Sequence, residues 1–145
     1  MILQIRDAIE QDAPAIYTFL CDLEEETLDL DRFMAVYQYN LTNPAAFYLI
    51  AERADEVVGF VSCYVQYALH HVGKVGEIQE LYVRPDCRNE RIGRQLITAI
   101  TELSHRENLI NLEVTTNQKR ADTVRFYERE GFQRTHYKLV KPVQI

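Results

Sequence analysis

The segment ELYVRPDCRNERIGRQLI, residues 80–97, constrains the fold of this chain more than any other. Its first residues have the apolar and aromatic character of a strand, which Pro85 ends. An irregular loop follows, and an amphipathic helix begins near Ile92. A strand that leads through a loop into a helix is a unit of sheets covered by helices, so the segment predicts an α/β fold.

The start of that helix is a candidate anion site. Backbone N–H groups at a helix N-terminus have no intrahelical acceptor and lie at the positive end of the helix dipole, so they bind phosphate. Gly93 lets a ligand approach the backbone, and Arg88, Arg91 and Arg94 add positive charge. On spacing alone, a solvated helix start with Glu90 paired to an arginine explains these residues equally well.

The charge balance excludes several kinds of partner. The 145 residues include 16 Lys+Arg and 22 Asp+Glu, for a formal net charge of −6, which argues against nucleic-acid binding. No stretch approaches the roughly 20 apolar residues of a membrane span, and residues 1–10 lack the layout of a signal peptide. The three scattered cysteines favour a reduced, cytoplasmic location. Without a linker or repeat, we expect one domain over residues 1–145.

Apolar periodicity predicts the order of the elements. Strands are expected at 3–9, 46–52, 57–67, 75–83, 109–116 and 132–140. Helices are expected from Asp12 to Leu23, over 31–41, from Ile92 to Leu103 and over 121–130. Asp12 is expected to cap the first helix, and residues 53–56 to form a hairpin turn. The resulting order, β-α-α-β-β-β-α-β-α-β, predicts a mixed sheet with helices packed on it.

Two motifs resemble those of the GCN5-related N-acetyltransferase (GNAT) superfamily. The sequence RNERIG, residues 88–93, is similar to its Q/R-x-x-G-x-G/A pyrophosphate loop, with Arg91 in place of the first glycine. The block Asn117…Ala121…Phe126-Tyr127…Gly131-Phe132 is similar to its second motif. The resemblance implies the fold of that superfamily: a mixed, mostly antiparallel sheet with splayed central strands and helices on both faces.

The same resemblance implies acetyl-CoA as the co-substrate. In the superfamily, the backbone of the strand end, here Leu81-Tyr82-Val83, pairs with pantetheine, and the N–H of Val83 would polarise the acetyl carbonyl. Asn117 would bind the pantetheine arm or fix the splayed strand end. The implied cofactor-binding residues are Leu81, Tyr82, Val83, Arg88, Asn89, Glu90, Arg91, Ile92, Gly93, Arg94 and Asn117.

A narrower resemblance points to the aminoalkylphosphonate N-acetyltransferases. It is carried by LHHV (69–72), GEIQEL (76–81), TNQKRAD (116–122) and RFYEREGF (125–132). It implies acetylation of the primary amine of small aminophosphonates. It also implies assistance by a divalent metal ion, whose ligands in this chain are unknown.

Acetyl transfer from a thioester requires a neutral amine, a hydrogen-bond donor to the thioester oxygen and a proton for the leaving thiolate. By position, Glu77 matches the family's general base, and Glu80 is the second candidate. Strand alternation places these two side chains on opposite faces. Tyr127 matches the tyrosine that protonates the thiolate, and its ordinary pKa near 10 keeps it a donor at neutral pH.

The acceptor half of the site is less well defined by the sequence. His70, His71 and Lys119 are candidates to bind the phosphonate anion, although surface histidines explain the pair as well. The alternatives are N-acetylation of another small amine (a polyamine, an amino acid or an aminoglycoside) or of a protein amine, and a non-catalytic acyl-CoA-binding module. The aromatic-rich strands 60–67 and 136–140 suit a homodimer face or core packing equally.

Overall fold

The computed structural model describes residues 2–117 and 120–144. Within these ranges, five strands form one sheet and four helices pack on it. The strands are β1 (Leu3–Asp7), β2 (Ala46–Arg53), β3 (Glu56–Ala68), β4 (Gly73–Val83) and β5 (Asn111–Val114). The helices are α1 (Ala13–Glu24), α2 (Leu30–Leu41), α3 (Ile92–Arg106) and α4 (Ala121–Arg129). None of these helices is long and apolar enough to cross a membrane.

The sheet is mixed, and its strands follow one another in sequence order from β1 to β5. The first three pairs are antiparallel, and β5 alone runs parallel to its neighbour, β4. Alternate residues face opposite sides: Leu49 and Ala51 of β2 pack with α3, whereas Ile50 packs with α1 and α2. Two cores result, one on each face. This confirms the predicted mixed sheet with helices on both faces.

The turn between β2 and β3 forms where the sequence predicts it. Arg53 pairs with Glu56, and the two residues between them, Ala54 and Asp55, have φ angles of 54° and 61°. Two consecutive left-handed residues are the signature of a type I′ hairpin turn, which matches the twist of the flanking strands.

The predicted cap of the first helix is wrong. The side chain of Asp12 makes no capping bond to α1. Its carboxylate instead accepts the N–H of Ile9 at 2.8 Å and pairs with the guanidinium of Arg6 at 2.8 Å. The bond to Ile9 also explains why β1 ends at Asp7 rather than at residue 9. At the next helix, the side chain of Asp29 accepts the N–H of Arg32 at 2.9 Å and caps α2.

The strand predicted over 132–140 does not form in the described chain. Only Phe132 is partly buried, against Tyr127, and residues 133–144 are exposed. Alternating side chains indicate a strand only where a neighbouring strand presents an edge for pairing, and no described strand pairs with this segment. The strand predicted over 109–116 is also shorter, because pairing with β4 ends at Val114.

Candidate active site

The central strands β4 and β5 separate and leave a cleft. They pair only between Val75–Ile78 and Asn111–Val114, whereas β4 continues five residues further, to Val83. Arg84 donates its N–H to Val58 of β3 at 2.8 Å. Antiparallel pairing alternates, so the backbone groups of Val83, one residue earlier, point away from β3 and into the cleft. An extended amide ligand can add to such a strand edge.

The same alternation separates the members of the predicted Leu81-Tyr82-Val83 run. The backbone groups of Leu81 point into the cleft like those of Val83. Those of Tyr82 pair with β3, and its ring stacks on Phe19 of α1 with the centroids 4.8 Å apart. The hydroxyl of Tyr82 donates a hydrogen bond to Asp22. Leu81 and Val83 therefore present backbone groups to the cleft, whereas Tyr82 packs between the sheet and α1.

A cavity of about 720 Å³ lies where α3 begins, beside the end of β4. A Cβ on Gly93 would lie 3.3 Å from the ring of Phe126, so glycine allows the first turn of α3 to approach α4 closely. The residues that line the cavity are Val83, Cys87, Arg88, Asn89, Arg91, Ile92, Gly93, Arg94, Phe126, Arg129 and Glu130. The cavity therefore collects the free N–H groups of a helix start together with four arginines.

The charged side chains of the loop are arranged so that the positive ones face the cavity. The Nε of Arg88 donates to the carbonyl of Val83 at 2.9 Å, and its guanidinium lies 5.3 Å from the centre of the Tyr82 ring. The carboxylate of Glu90 instead pairs with Arg53, at the end of β2, at 3.2 Å. Arg53 thus connects the loop to the sheet. It also neutralises Glu90, the one acidic residue of the loop between positions 87 and 94.

Arg91 precedes α3 in a left-handed conformation, with φ of 64°. This conformation costs a non-glycine residue roughly 1 kcal/mol or more, which explains why the motif usually has glycine here. We expect Arg91→Gly to raise the free energy of unfolding, measured by urea denaturation, by up to about 1 kcal/mol. Arg91→Ala removes the same charge and keeps the cost of the conformation. Equal stability of the two variants would contradict this explanation.

The two candidate bases lie on the same face of β4, so the predicted opposite orientation is wrong. Ser62 of β3 pairs with Glu80, but the next residue, Cys63, pairs with Ile78. Gln79 is therefore an extra residue, a β-bulge, and it resets the alternation between Glu77 and Glu80. Both carboxylates lie on the side of the sheet that α1 and α2 cover.

Glu80 has the environment of a proton acceptor. It is partly buried, it accepts a hydrogen bond from the hydroxyl of Ser62, and its own N–H donates to that hydroxyl oxygen at 3.0 Å. Burial raises the pKa of Glu80 above its ordinary value, and the nearby charge of Glu24 adds to this effect. The hydrogen bond from Ser62 lowers the pKa, but it does not cancel the increase. Glu77 is also half-buried and accepts a hydrogen bond from Gln79.

Ser62 was not identified from the sequence, although a signal was present. It is a single polar residue within the apolar run VVGFVSCYV, residues 57–65, and it is fully buried. A buried hydroxyl needs a hydrogen-bonding partner, and here that partner is the candidate base.

Tyr127 lies on α4 and is 6% exposed. Its ring packs edge-on against Phe126 and Phe132, with centroids 5.2 and 5.5 Å away. Burial raises the pKa of its phenol, so the group is protonated at neutral pH. Phe126 lines the cavity at the start of α3, and the neighbouring Tyr127 belongs to the core cluster that packs with α3.

The predicted acceptor-binding residues are only partly brought to the site. His70 and His71 form a turn between β3 and β4, with ring centroids 4.2 Å apart. The Nε2 of His71 lies 3.7 Å from the carboxylate of Glu113, which pairs in register with Glu77. The backbone carbonyl of Asn117 accepts the N–H of Arg120 at 2.9 Å, just before α4. Lys119 lies outside the described residues.

The implied metal ion has no ligand set in residues 2–117 and 120–144. No group of three or more His, Cys, Asp or Glu side chains in these ranges is placed to hold a metal ion. The pair of His71 and Glu113 supplies two such groups, and the carboxylate of Glu77 instead accepts a hydrogen bond from Gln79.

Comparisons with known proteins agree with this geometry. The model of the acetyltransferase (GNAT) family matches residues 6–132. An aminoalkylphosphonate N-acetyltransferase of Salmonella typhimurium is 37% identical over 140 residues, which are 97% of this chain and 91% of that protein. The chain belongs to the GNAT acetyltransferase family. It is accordingly an acyltransferase of the N-acetyltransferase class.

Solved structures show the same fold at low sequence identity. A transcriptional regulator from Bacillus halodurans superposes with a TM-score of 0.90 at 22% identity, over 97% of this chain and 99% of that one. An aminoglycoside N-acetyltransferase in complex with CoA superposes with a TM-score of 0.87 at 15% identity, over 99% of this chain and 96% of that one.

Proposed function

We propose that this enzyme transfers the acetyl group of acetyl-CoA to the primary amine of a small aminoalkylphosphonate. The observation that carries the proposal is the cleft between β4 and β5, which has an arginine-rich helix start at one end and the partly buried carboxylate of Glu80 on β4. The 37% identity to an aminoalkylphosphonate N-acetyltransferase over 97% of the chain supports this class of acceptor.

The donor occupies the cleft and the cavity at the start of α3. The pyrophosphate of CoA binds the N–H groups of the first turn of α3, with Arg88, Arg91 and Arg94 around it. The pantetheine arm runs along the exposed edge of β4 and pairs with the backbone of Leu81 and Val83. The N–H of Val83 then donates to the thioester oxygen as negative charge develops on it.

Glu80 accepts the proton that the attacking amine must lose. The nitrogen lone pair attacks the thioester carbonyl carbon, a C–N bond forms, and the C–S bond breaks. Burial raises the pKa of Glu80, and a carboxylate with a raised pKa is a stronger base, which supports Glu80 as the proton acceptor. The phenol of Tyr127 protonates the departing thiolate, after which CoA leaves as the neutral thiol.

The acceptor carries a positive ammonium group and a negative phosphonate, so each needs protein groups of the opposite charge around it. The ammonium fits the carboxylates of Glu77, Glu80 and Glu113, which share one face of the sheet. We assign the phosphonate to His70, His71 and Lys119. The Nε2 of His71 lies 3.7 Å from the carboxylate of Glu113, so the two groups meet at the same end of the sheet.

The carboxylates also favour a second candidate, a purely cationic acceptor such as a polyamine or an aminoglycoside. Thiol release from acetyl-CoA, measured with aminomethylphosphonate, 2-aminoethylphosphonate, spermidine and an aminoglycoside, separates the two. We expect turnover of the aminophosphonates to dominate. Turnover of the cationic amines alone would contradict the phosphonate assignment and leave the acetyltransferase class intact. Parallel assays with EDTA and with added divalent ions measure any metal requirement.

A further inference from the structure

Ser62 of β3 is the one polar residue with no exposed surface in the ranges 2–117 and 120–144. Its neighbours Val61 and Cys63 pack with α3, so the side chain of Ser62 lies on the opposite face of the sheet, under α1 and α2. Burial of a hydroxyl costs free energy unless it is hydrogen-bonded, whereas an alanine would occupy this position without that cost. The role of Ser62 therefore lies in what its hydroxyl binds.

The hydroxyl of Ser62 binds Glu80 twice. Its oxygen accepts the backbone N–H of Glu80 at 3.0 Å, and its proton is donated to Oε1 of the same residue. Glu80 follows the bulge at Gln79 and pairs with Ser62 across the two strands. The serine thus joins the backbone and the carboxylate of one residue in a closed ring of hydrogen bonds, which fixes the rotamer of the carboxylate.

This ring distinguishes the two oxygens of the carboxylate. An ionised carboxylate accepts at both oxygens, and Oε1 is occupied by the hydroxyl of Ser62. We propose that Ser62 is a positioning residue: it holds the carboxylate of Glu80 through Oε1 and leaves Oε2 to accept the proton of the attacking amine. This role rests on the proposed function, in which Glu80 is the base, but not on the identity of the acceptor amine.

The role has a consequence for the pKa of Glu80. A donor to one oxygen stabilises the ionised form, so Ser62 lowers this pKa, against the larger effect of burial. The titratable groups near Glu80 on this face are Glu24 of α1, Tyr48 of β2 with Tyr37 of α2 stacked on it, Tyr64 of β3 and Glu77 of β4. Replacing Ser62 leaves all of them in place, so the pKa of Glu80 in such a variant measures the lost hydrogen bond.

The substitution Ser62→Ala should move the acidic limb of the pH profile of kcat/KM to higher pH by about one unit and lower the plateau about tenfold. The limb moves because the carboxylate loses a donor, and the plateau falls because Oε2 is no longer held towards the amine. Ser62→Cys fills the same space with a weaker donor, so it should shift the limb in the same direction, and it serves if Ser62→Ala does not fold.

The matched control is Ser104→Ala, which removes a buried hydroxyl elsewhere. Ser104 lies on α3 and donates to the carbonyl of Ile100 at 2.8 Å. This variant should keep both the acidic limb and the plateau of the wild type.

Two further measurements separate positioning from a general loss of structure. In isotope-labelled protein, NMR titration of the carboxyl carbon of Glu80, identified by its absence in Glu80→Gln, should show a pKa about one unit higher in Ser62→Ala, without any turnover. In the Glu80→Gln variant, adding Ser62→Ala should change kcat/KM by less than about twofold, because Ser62 acts only through Glu80.

An unchanged limb and an unchanged NMR pKa in folded Ser62→Ala would overturn the role of Ser62. Losses that multiply in the double variant would also overturn it, because Ser62 would then act independently of Glu80. An acidic limb that survives Glu80→Gln would overturn it on different grounds, since Glu80 itself would not be the base.

Discussion

Replacing Glu80 by glutamine should lower kcat/KM for the amine by about 100-fold or more, because general-base catalysis commonly contributes 10² to 10⁴. The amide keeps the size of the side chain and can still bond to the hydroxyl of Ser62, but it cannot accept the proton of the amine. The acidic limb of the pH profile of kcat/KM, which reports ionisation of the free base, should disappear in this variant.

The matched control is Glu77→Gln, which removes a carboxylate from the same face of β4. We expect a smaller loss and a retained acidic limb, because Glu80 is intact. If Glu77→Gln abolishes the acidic limb and Glu80→Gln preserves it, the two roles are exchanged, and burial does not identify the base.

The substitution Glu80→Gln should also stabilise the fold at neutral pH. Burial raises the pKa of Glu80 above its ordinary value of 4.5, so ionisation costs folding free energy once the pH exceeds that value. Below it, the group is protonated in both the folded and the unfolded chain, and no cost arises. Glu80→Gln should therefore raise the Tm at pH 8 and leave it nearly unchanged at pH 4. A higher Tm would show that the variant loses activity because it lacks the base and not because it is unfolded.

Replacing Tyr127 by phenylalanine should lower kcat by about 100-fold, the typical contribution of a general acid. The ring would still pack against Phe126 and Phe132, so the Tm and the KM for acetyl-CoA should change little. The loss should shrink with a donor whose thiol has a lower pKa, because such a thiolate leaves without protonation. A loss below about threefold would remove Tyr127 from the chemistry and leave it as a core residue.

The sequence predicted local structure well where the cause is local. The turn at 53–56 follows from a short, mostly polar stretch between two strands of apolar and aromatic residues, and the start of α3 follows from the loop that precedes it. The side of the sheet on which Glu77 and Glu80 lie could not be predicted. It depends on the bulge at Gln79, which arises from how β3 and β4 pair, over residues distant in sequence.

Contacts between residues distant in sequence also explain other differences between the predicted and the observed roles of side chains. Glu90 was expected among the cofactor-binding residues, but its carboxylate pairs with Arg53, 37 positions earlier in the chain. Asp12 is suited to capping by residue type, yet Arg6 and the N–H of Ile9 occupy its carboxylate. The segment 132–140 has the composition of a strand, but composition does not determine which strand edge it meets.

The identity of the acceptor amine is tested most directly by one ratio of rate constants. The measurement is kcat/KM for 2-aminoethylphosphonate divided by kcat/KM for propylamine, with saturating acetyl-CoA. The two amines have similar length, and only the first carries the phosphonate that His70, His71 and Lys119 are proposed to bind. A site built for a polar group discriminates strongly against an analogue without it, so we predict a ratio of at least about 100. A ratio near one, or no acetylation of the aminophosphonate, would contradict the account.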